Sequence, residues 1–288
     1  MVPDRKVEIR HNPVKSAYRI SACKTIVAPV FDPSVLSTTR AQRAQGWAVH
    51  VFTAFGIVVA MLALRDVFTG DPGGAILWLM VTIIIDGVDG PIARVLSVKE
   101  RCPGIDGYVL DLIIDYVTCV IVPAAFMYQF QVVPNNGLGL VLLGAVCFTS
   151  AIWFSRVDMM TDDNWFRGQP AAWNLIAPVL YLMHARPTVA CIVVAVLCVG
   201  SLTNVAFPHI VRAKFMRVVT LPVALGWFAA ISYGATQLPD RPDALRPFLS
   251  AGSFYFLALC AVQTFRFYRQ GQRQRSVDAT AATPANVS

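Results

Sequence analysis

The hydrophobic positions come in long runs separated by short polar interruptions, not in the alternation of strands or the narrow stripe of a surface helix. A helix crossing the hydrocarbon of a bilayer needs roughly 17–25 mostly apolar residues. Runs near that length lie at 47–64, 74–93, 107–128, 137–155, 170–184, 187–207, 218–235 and 247–265. They predict an all-α polytopic membrane protein with about eight transmembrane helices. The fifth and sixth have the thinnest divide, His184-Ala185-Arg186-Pro187.

The flanks are polar. The first 45 residues contain no apolar stretch of the kind that makes a signal peptide. Asp32-Pro33 reads as an N-cap followed by proline at the first helical position, which predicts a short juxtamembrane helix over 33–43. After Arg266 the chain is polar and is expected to be disordered. The predicted organisation is an N-terminal arm (1–45), a transmembrane domain (46–266) and a tail (267–288).

Composition agrees with the pattern. Of 288 residues, 56% are hydrophobic and 14% charged, against about 25% charged in a soluble domain. A soluble, disordered or nucleic-acid-binding protein is therefore not the expectation, and no nucleic-acid partner is predicted. The net charge of +7 becomes an orientation signal. With a cytoplasmic N-terminus, 20 of the 24 Lys and Arg residues fall on cytoplasmic segments. Only Arg65, Arg186, Arg241 and Arg246 fall outside. Both termini are then cytoplasmic, and an even number of spans, eight or six, is favoured over seven. The seven cysteines form no CxxC and read as small apolar residues. The four histidines are scattered without metal-ligand spacing.

Against this background four acids stand out: Asp86, Asp89, Asp111 and Asp115 lie within or at the edge of apolar runs. Each charge at membrane depth costs at least ~2.5–3.5 kcal/mol on insertion scales. On a helix, Asp86, Asp89, Gly90, Ala93 and Arg94 span an arc of about 140°. Gly107, Asp111 and Asp115, four apart, form a stripe on the next helix. The two helices are antiparallel and joined on the cytoplasmic side, so four carboxylates face one cleft. Bare carboxylates so placed repel one another; divalent cations remove the conflict, and hard oxygen ligands suit Mg²⁺ or Mn²⁺. Two such ions close together are a phosphoryl-transfer device. Gly90, Ala93 and Gly107 leave room for a flat ligand or for close helix packing. Arg94 is placed to hold a phosphate or to mark the cytoplasmic edge.

These residues resemble a family signature. Asp86-x-x-Asp89-Gly90-x-x-Ala93-Arg94, followed by Gly107-x-x-x-Asp111-x-x-x-Asp115, matches every fixed position of the CDP-alcohol phosphatidyltransferase motif. The resemblance covers roughly residues 45–266. It implies an integral enzyme of the bacterial inner membrane that moves a phosphatidyl group from CDP-diacylglycerol to an alcohol and releases CMP. It implies that Asp86, Asp89, Asp111 and Asp115 hold two divalent cations, with Asp111 and Asp115 catalytic and Asp115 the general base. Gly90, Ala93, Arg94 and Gly107 would bind the CDP-lipid, and a homodimer is expected. The twelve residues between Arg94 and Gly107 are more than is common in the family. With Val98-Lys99-Glu100-Arg101, the segments 162–174 and 208–212, this is similar to the bacterial branch whose acceptor is choline.

A quaternary ammonium offers no hydrogen bond and is bound by aromatic faces. Tyr108, Tyr116, Trp153 and Trp173 are the choline-binding candidates, with Phe154, Trp165 and Phe166 nearby. Each also reads as core packing or interface anchoring. Asp158, Asp162 and Asp163 read as an acidic loop that attracts a cation or is simply solvated. His209, Arg212, Lys214 and Arg217 form a basic loop that holds lipid phosphate or sets topology. Two alternatives remain open: another acceptor (serine, inositol or glycerol phosphate), and a cation transporter whose acids line a path.

Overall fold

The computed structural model describes residues 39–161, 165–208, 217–240 and 243–282, the side chains of 270–282 excepted. The predicted helix over 33–43 lies mostly outside these residues. Instead, one helix, α1 (Arg40–Thr69), takes in residues 40–43 and the first apolar run together. Thr39 caps it: the Gln42 amide donates to the Thr39 hydroxyl, and the Gln42 side chain accepts from the Thr39 amide. At the far end Gly70, with φ +80°, closes the helix in the left-handed conformation.

Asp71 then caps α2 (Pro72–Val95) by accepting from the Gly74 amide. The α1–α2 hairpin is the most extensively packed pair of elements in the fold. A four-residue turn, α3 (Val98–Arg101), leads to α4 (Gly107–Tyr116). The Asp106 side chain caps α4 by accepting from the Tyr108 and Val109 amides. The third run is not a uniform α-helix. Val117–Ile121 forms a π-helical turn before α5 (Val122–Gln129). Pro123 explains it: proline has no N–H to donate to the Cys119 carbonyl, so the regular ladder cannot pass.

α6 (Gly137–Phe154) follows, then a strand β1 (Trp165–Arg167), α7 (Trp173–Leu182), α8 (Pro187–Ser201) and a strand β2 (Ala206–Pro208). The two strands pair antiparallel in a small ribbon, Trp165 opposite Pro208 and Arg167 opposite Ala206. α9 (Arg217–Thr236) and α10 (Leu245–Ala282) complete the chain. α10 stays helical through residues expected to be a disordered tail. That stretch has no proline and a single glycine, and is otherwise built from residues a helix accepts.

Among the described residues six helices are long and apolar enough to cross a membrane, counting α4 to α5 as one span. The expectation of about eight is not confirmed, because the fifth and sixth runs form shorter apolar helices. α7 and α8 have 10 and 15 residues. At 1.5 Å per residue they reach about 15 and 22 Å, short of a hydrocarbon core of about 30 Å. The interruption at 184–187 and the bonds that delay the start of α7 to Trp173 consume residues the composition assigned to spans. The core is continuous through α1, α2, α5, α6, α7, α8 and α9, with Ile76, Leu79, Phe126, Met127, Trp173 and Ile231 fully enclosed. It lies beneath the cleft and holds its helices in place.

Candidate active site

The site grows from the α2–α4 pair, with α1 as a third wall. α2 supplies Thr82, Ile85, Asp86 and Asp89; α4 supplies Asp111, Ile114 and Asp115; the π-helical turn supplies Thr118. α1 contributes Thr53 and Gly56. The helices approach closely at Gly56, where a Cβ would stand 3.1 Å from Ile114 Cγ2. A larger residue there would push α1 off α4.

Three of the acids form a compact ligand set. Asp86, Asp89 and Asp111 each offer a carboxylate oxygen, and these oxygens all lie within 4.8 Å of one another. Asp86 is exposed, Asp111 half-buried and Asp89 buried. Three hard oxygen donors at this separation fit a small divalent cation. Asp89 faces Thr53 of α1 and the Gly90 amide, and Arg94 is its positive neighbour. Asp115 stands one turn further along α4, outside the three-acid set but on the same cleft. Asp86, Asp111 and Asp89 are its charged neighbours. Pro91 sits between Asp89 and Arg94 inside α2. It lacks the N–H that would bond the Gly87 carbonyl, which loosens the ladder beside the acids.

Gly90 and Ala93 are half-buried on the acid-bearing helix, and Arg94 is exposed at its end. Gly107 opens α4 beneath His50 of α1, whose Cε1 would lie 3.0 Å from a Cβ at that position. The role of α1 was not visible in the sequence pattern, which assigns 47–64 only a spanning function. The signal, in retrospect, is His50, Thr53 and Gly56 at intervals of three, a polar and small stripe in an apolar helix.

The aromatic candidates separate. Tyr108 is exposed at the mouth, with Asp111 and Asp106 as charged neighbours and its hydroxyl 3.5 Å from Met159 Sδ. Tyr116 donates to the Cys147 carbonyl at 2.9 Å and meets Phe154 edge-on. Trp153 is buried and donates to the Arg167 carbonyl; Trp173 is buried and donates to Ser150 Oγ. Phe154 and Phe166 pack on Trp153, and Trp165 belongs to a small cluster with Ala206 and Leu259.

The ribbon is tied to the end of α8. Asp158 accepts two bonds from Arg156, at 3.0 and 3.3 Å, and stands 3.7 Å from Arg167. Arg156 also donates to the Thr203 carbonyl and the Asn204 side chain. The bond from Arg156 holds the Asp158 carboxyl below the usual carboxylate range. Asp158 is therefore engaged by two arginines. Asp162, Asp163, His209, Arg212 and Lys214 lie outside the described residues, and Arg217 opens α9.

No family model matches the chain. Relatives do. It is 36% identical over 234 residues to a phosphatidylcholine synthase of Pseudomonas aeruginosa, covering 81% of this chain and 98% of the relative. A phosphatidylcholine synthase of Bradyrhizobium diazoefficiens is 39% identical over 77% of this chain and 79% of its own length. One of Rhizobium johnstonii is 34% identical over 77% and 91%. Similarity of this depth along most of the length of such relatives means that the chain belongs to the phosphatidylcholine synthase family.

Proposed function

We propose that the protein transfers the phosphatidyl group of CDP-diacylglycerol to choline, forming phosphatidylcholine and CMP at the cytoplasmic face of a bacterial inner membrane. The observation that carries this reading is the single cleft in which α2 and α4 present four carboxylates, in a chain whose relatives are named phosphatidylcholine synthase.

In this reading Asp86, Asp89 and Asp111 hold divalent cations, Mn²⁺ or Mg²⁺, with Asp115 completing the second position. Bound there, the cations would neutralise the donor diphosphate and the charge that builds on its phosphoryl oxygens during attack. The chain's own groups do the rest. Asp115 accepts the proton of the choline hydroxyl. The choline oxygen bonds to the lipid-side phosphorus, and the bond from that phosphorus to the CMP oxygen breaks. Gly90, Ala93 and Gly107 give the nucleotide head a surface without bulky side chains, and Arg94 draws a phosphate to the helix end. Tyr108, exposed beside Asp111, is the best-placed aromatic face for the quaternary ammonium. The acyl chains remain in the bilayer throughout.

An acceptor panel with purified protein tests this. CMP release should require CDP-diacylglycerol, choline and Mn²⁺ or Mg²⁺ together. Turnover with serine, inositol or glycerol phosphate, and none with choline, overturns the acceptor. Metal binding without CMP release under any acceptor overturns the transferase.

A further inference from the structure

His50 has no place in the proposed chemistry, yet it is one of the few polar side chains buried in α1, at 6% exposure. Its Nε2 is enclosed and has no hydrogen-bond partner among the described residues. Packing alone would be better served there by a carbon, because an enclosed nitrogen without a partner costs stability. The ring lies against Gly107: a Cβ at 107 would be 3.0 Å from Cε1 and 3.5 Å from Nδ1. Gly107 is the first residue of α4, one turn before Asp111. On the same face of α1, one turn after His50, Thr53 meets Asp89. α1 thus touches both acid-bearing helices, at Asp89 through Thr53 and at the head of α4 through His50.

We propose that His50 is a positioning residue: its imidazole is the stop on which α4 seats at Gly107, and it sets Asp111 relative to Asp86 and Asp89. The glycine at 107 is then required by the flat ring above it, and not only by a ligand. The ring and the glycine are a pair, and a change in one is felt through the other at the metal ligands. The inference rests on the reading of the acids as a divalent-cation site.

A double-variant cycle tests it on the full-length protein in detergent, with Mn²⁺ binding, thermal unfolding and CMP release measured in parallel. Gly107→Ala should weaken Mn²⁺ binding by about tenfold and lower kcat more than it raises KM for CDP-diacylglycerol. His50→Ala should weaken Mn²⁺ binding less, with an unfolding temperature equal to or above the wild type. The double variant should fall no further than His50→Ala, because the added methyl no longer meets the ring. Independent losses that simply add, or His50→Ala with wild-type Mn²⁺ binding, overturn the proposal. If Gly107→Ala does not fold, a folded double variant supports the pairing and an unfolded one overturns it. A wild type that binds Mn²⁺ but releases no CMP sinks the transferase reading alone, because the binding cycle still decides the role of His50. A wild type that binds no Mn²⁺ sinks both.

Discussion

Asp89 is the most enclosed of the carboxylates in the three-acid set, at 5% exposure, and it lies between Thr53 of α1 and its own helix. Asp115 sits on the same cleft but outside the trio whose oxygens come within 4.8 Å. That separation suits the proposed mechanism, in which the trio binds cations and Asp115 both completes the second metal position and moves a proton. On the proposed mechanism, Asp115→Asn should lower kcat by at least about 100-fold, the usual worth of a positioned base. Mn²⁺ held by Asp86, Asp89 and Asp111 should remain, while the position that Asp115 completes should weaken. Retained CMP release, measured by chromatography, would remove Asp115 from the base role. At this scale the acids were legible because a charge in an apolar run is costly and so conspicuous. His50, Thr53 and Gly56 were not, since a lone small or weakly polar residue in a membrane helix has many ordinary uses.

The elements that depart from the sequence pattern do so where hydrogen bonding competes with hydropathy. Apolar content predicted two further spans over 170–184 and 187–207. The chain instead uses Gln169 to tie Ala171 and Ser201 together, and α7 starts only at Trp173. Gly168, at φ +83°, makes this junction possible: a Cβ there would lie 2.6 Å from the Ser201 carbonyl oxygen. Gly168→Ala should therefore destabilise the protein by about 1–3 kcal/mol, read as a lower unfolding temperature in detergent. Wild-type stability would mean that the junction carries no strain. The Arg156–Asp158 clamp beside it has a pH signature. Its carboxyl is held below the unfolded value of about 3.9, so the clamp stabilises the loop above that pH and loses its effect as pH falls through the depressed folded value. Protection of the Arg167 amide, which donates to the Met159 carbonyl at 2.8 Å, should be level from pH 8 to 5 and drop only in stronger acid. A drop near neutrality would mean that another group holds the ribbon.

Across the whole molecule, the charge asymmetry and the helix count make one joint prediction. Among the described residues, six long helices and a short α7–α8 pair are compatible with the even parity expected from the charges, which would place both termini on one side. On the proposed function, the cleft and the basic segment after α2 would share the cytoplasmic face, where a water-soluble acceptor would arrive and CMP would leave. A cysteine at Lys99 should react with an impermeant maleimide only in inside-out vesicles, and one at Asn135 only in right-side-out vesicles. The reverse pattern would put the cleft on the outer face and exclude a cytoplasmic reaction.

What the sequence determined by itself was local and periodic: the membrane class, the long helices, and the placing of four acids on two consecutive helices. Hydropathy and helical spacing act within a single segment, so both can be read without a fold. Only the tertiary structure showed which apolar runs form short helices and how closely the oxygens of Asp86, Asp89 and Asp111 approach one another, with Asp115 on the same cleft. It also brought α1 into the site through Thr53, Gly56 and His50. Those outcomes depend on contacts between distant segments. No period within one segment encodes the approach of α1 to α4, which meet closely at Gly56 beside Ile114 and at Gly107 beside His50.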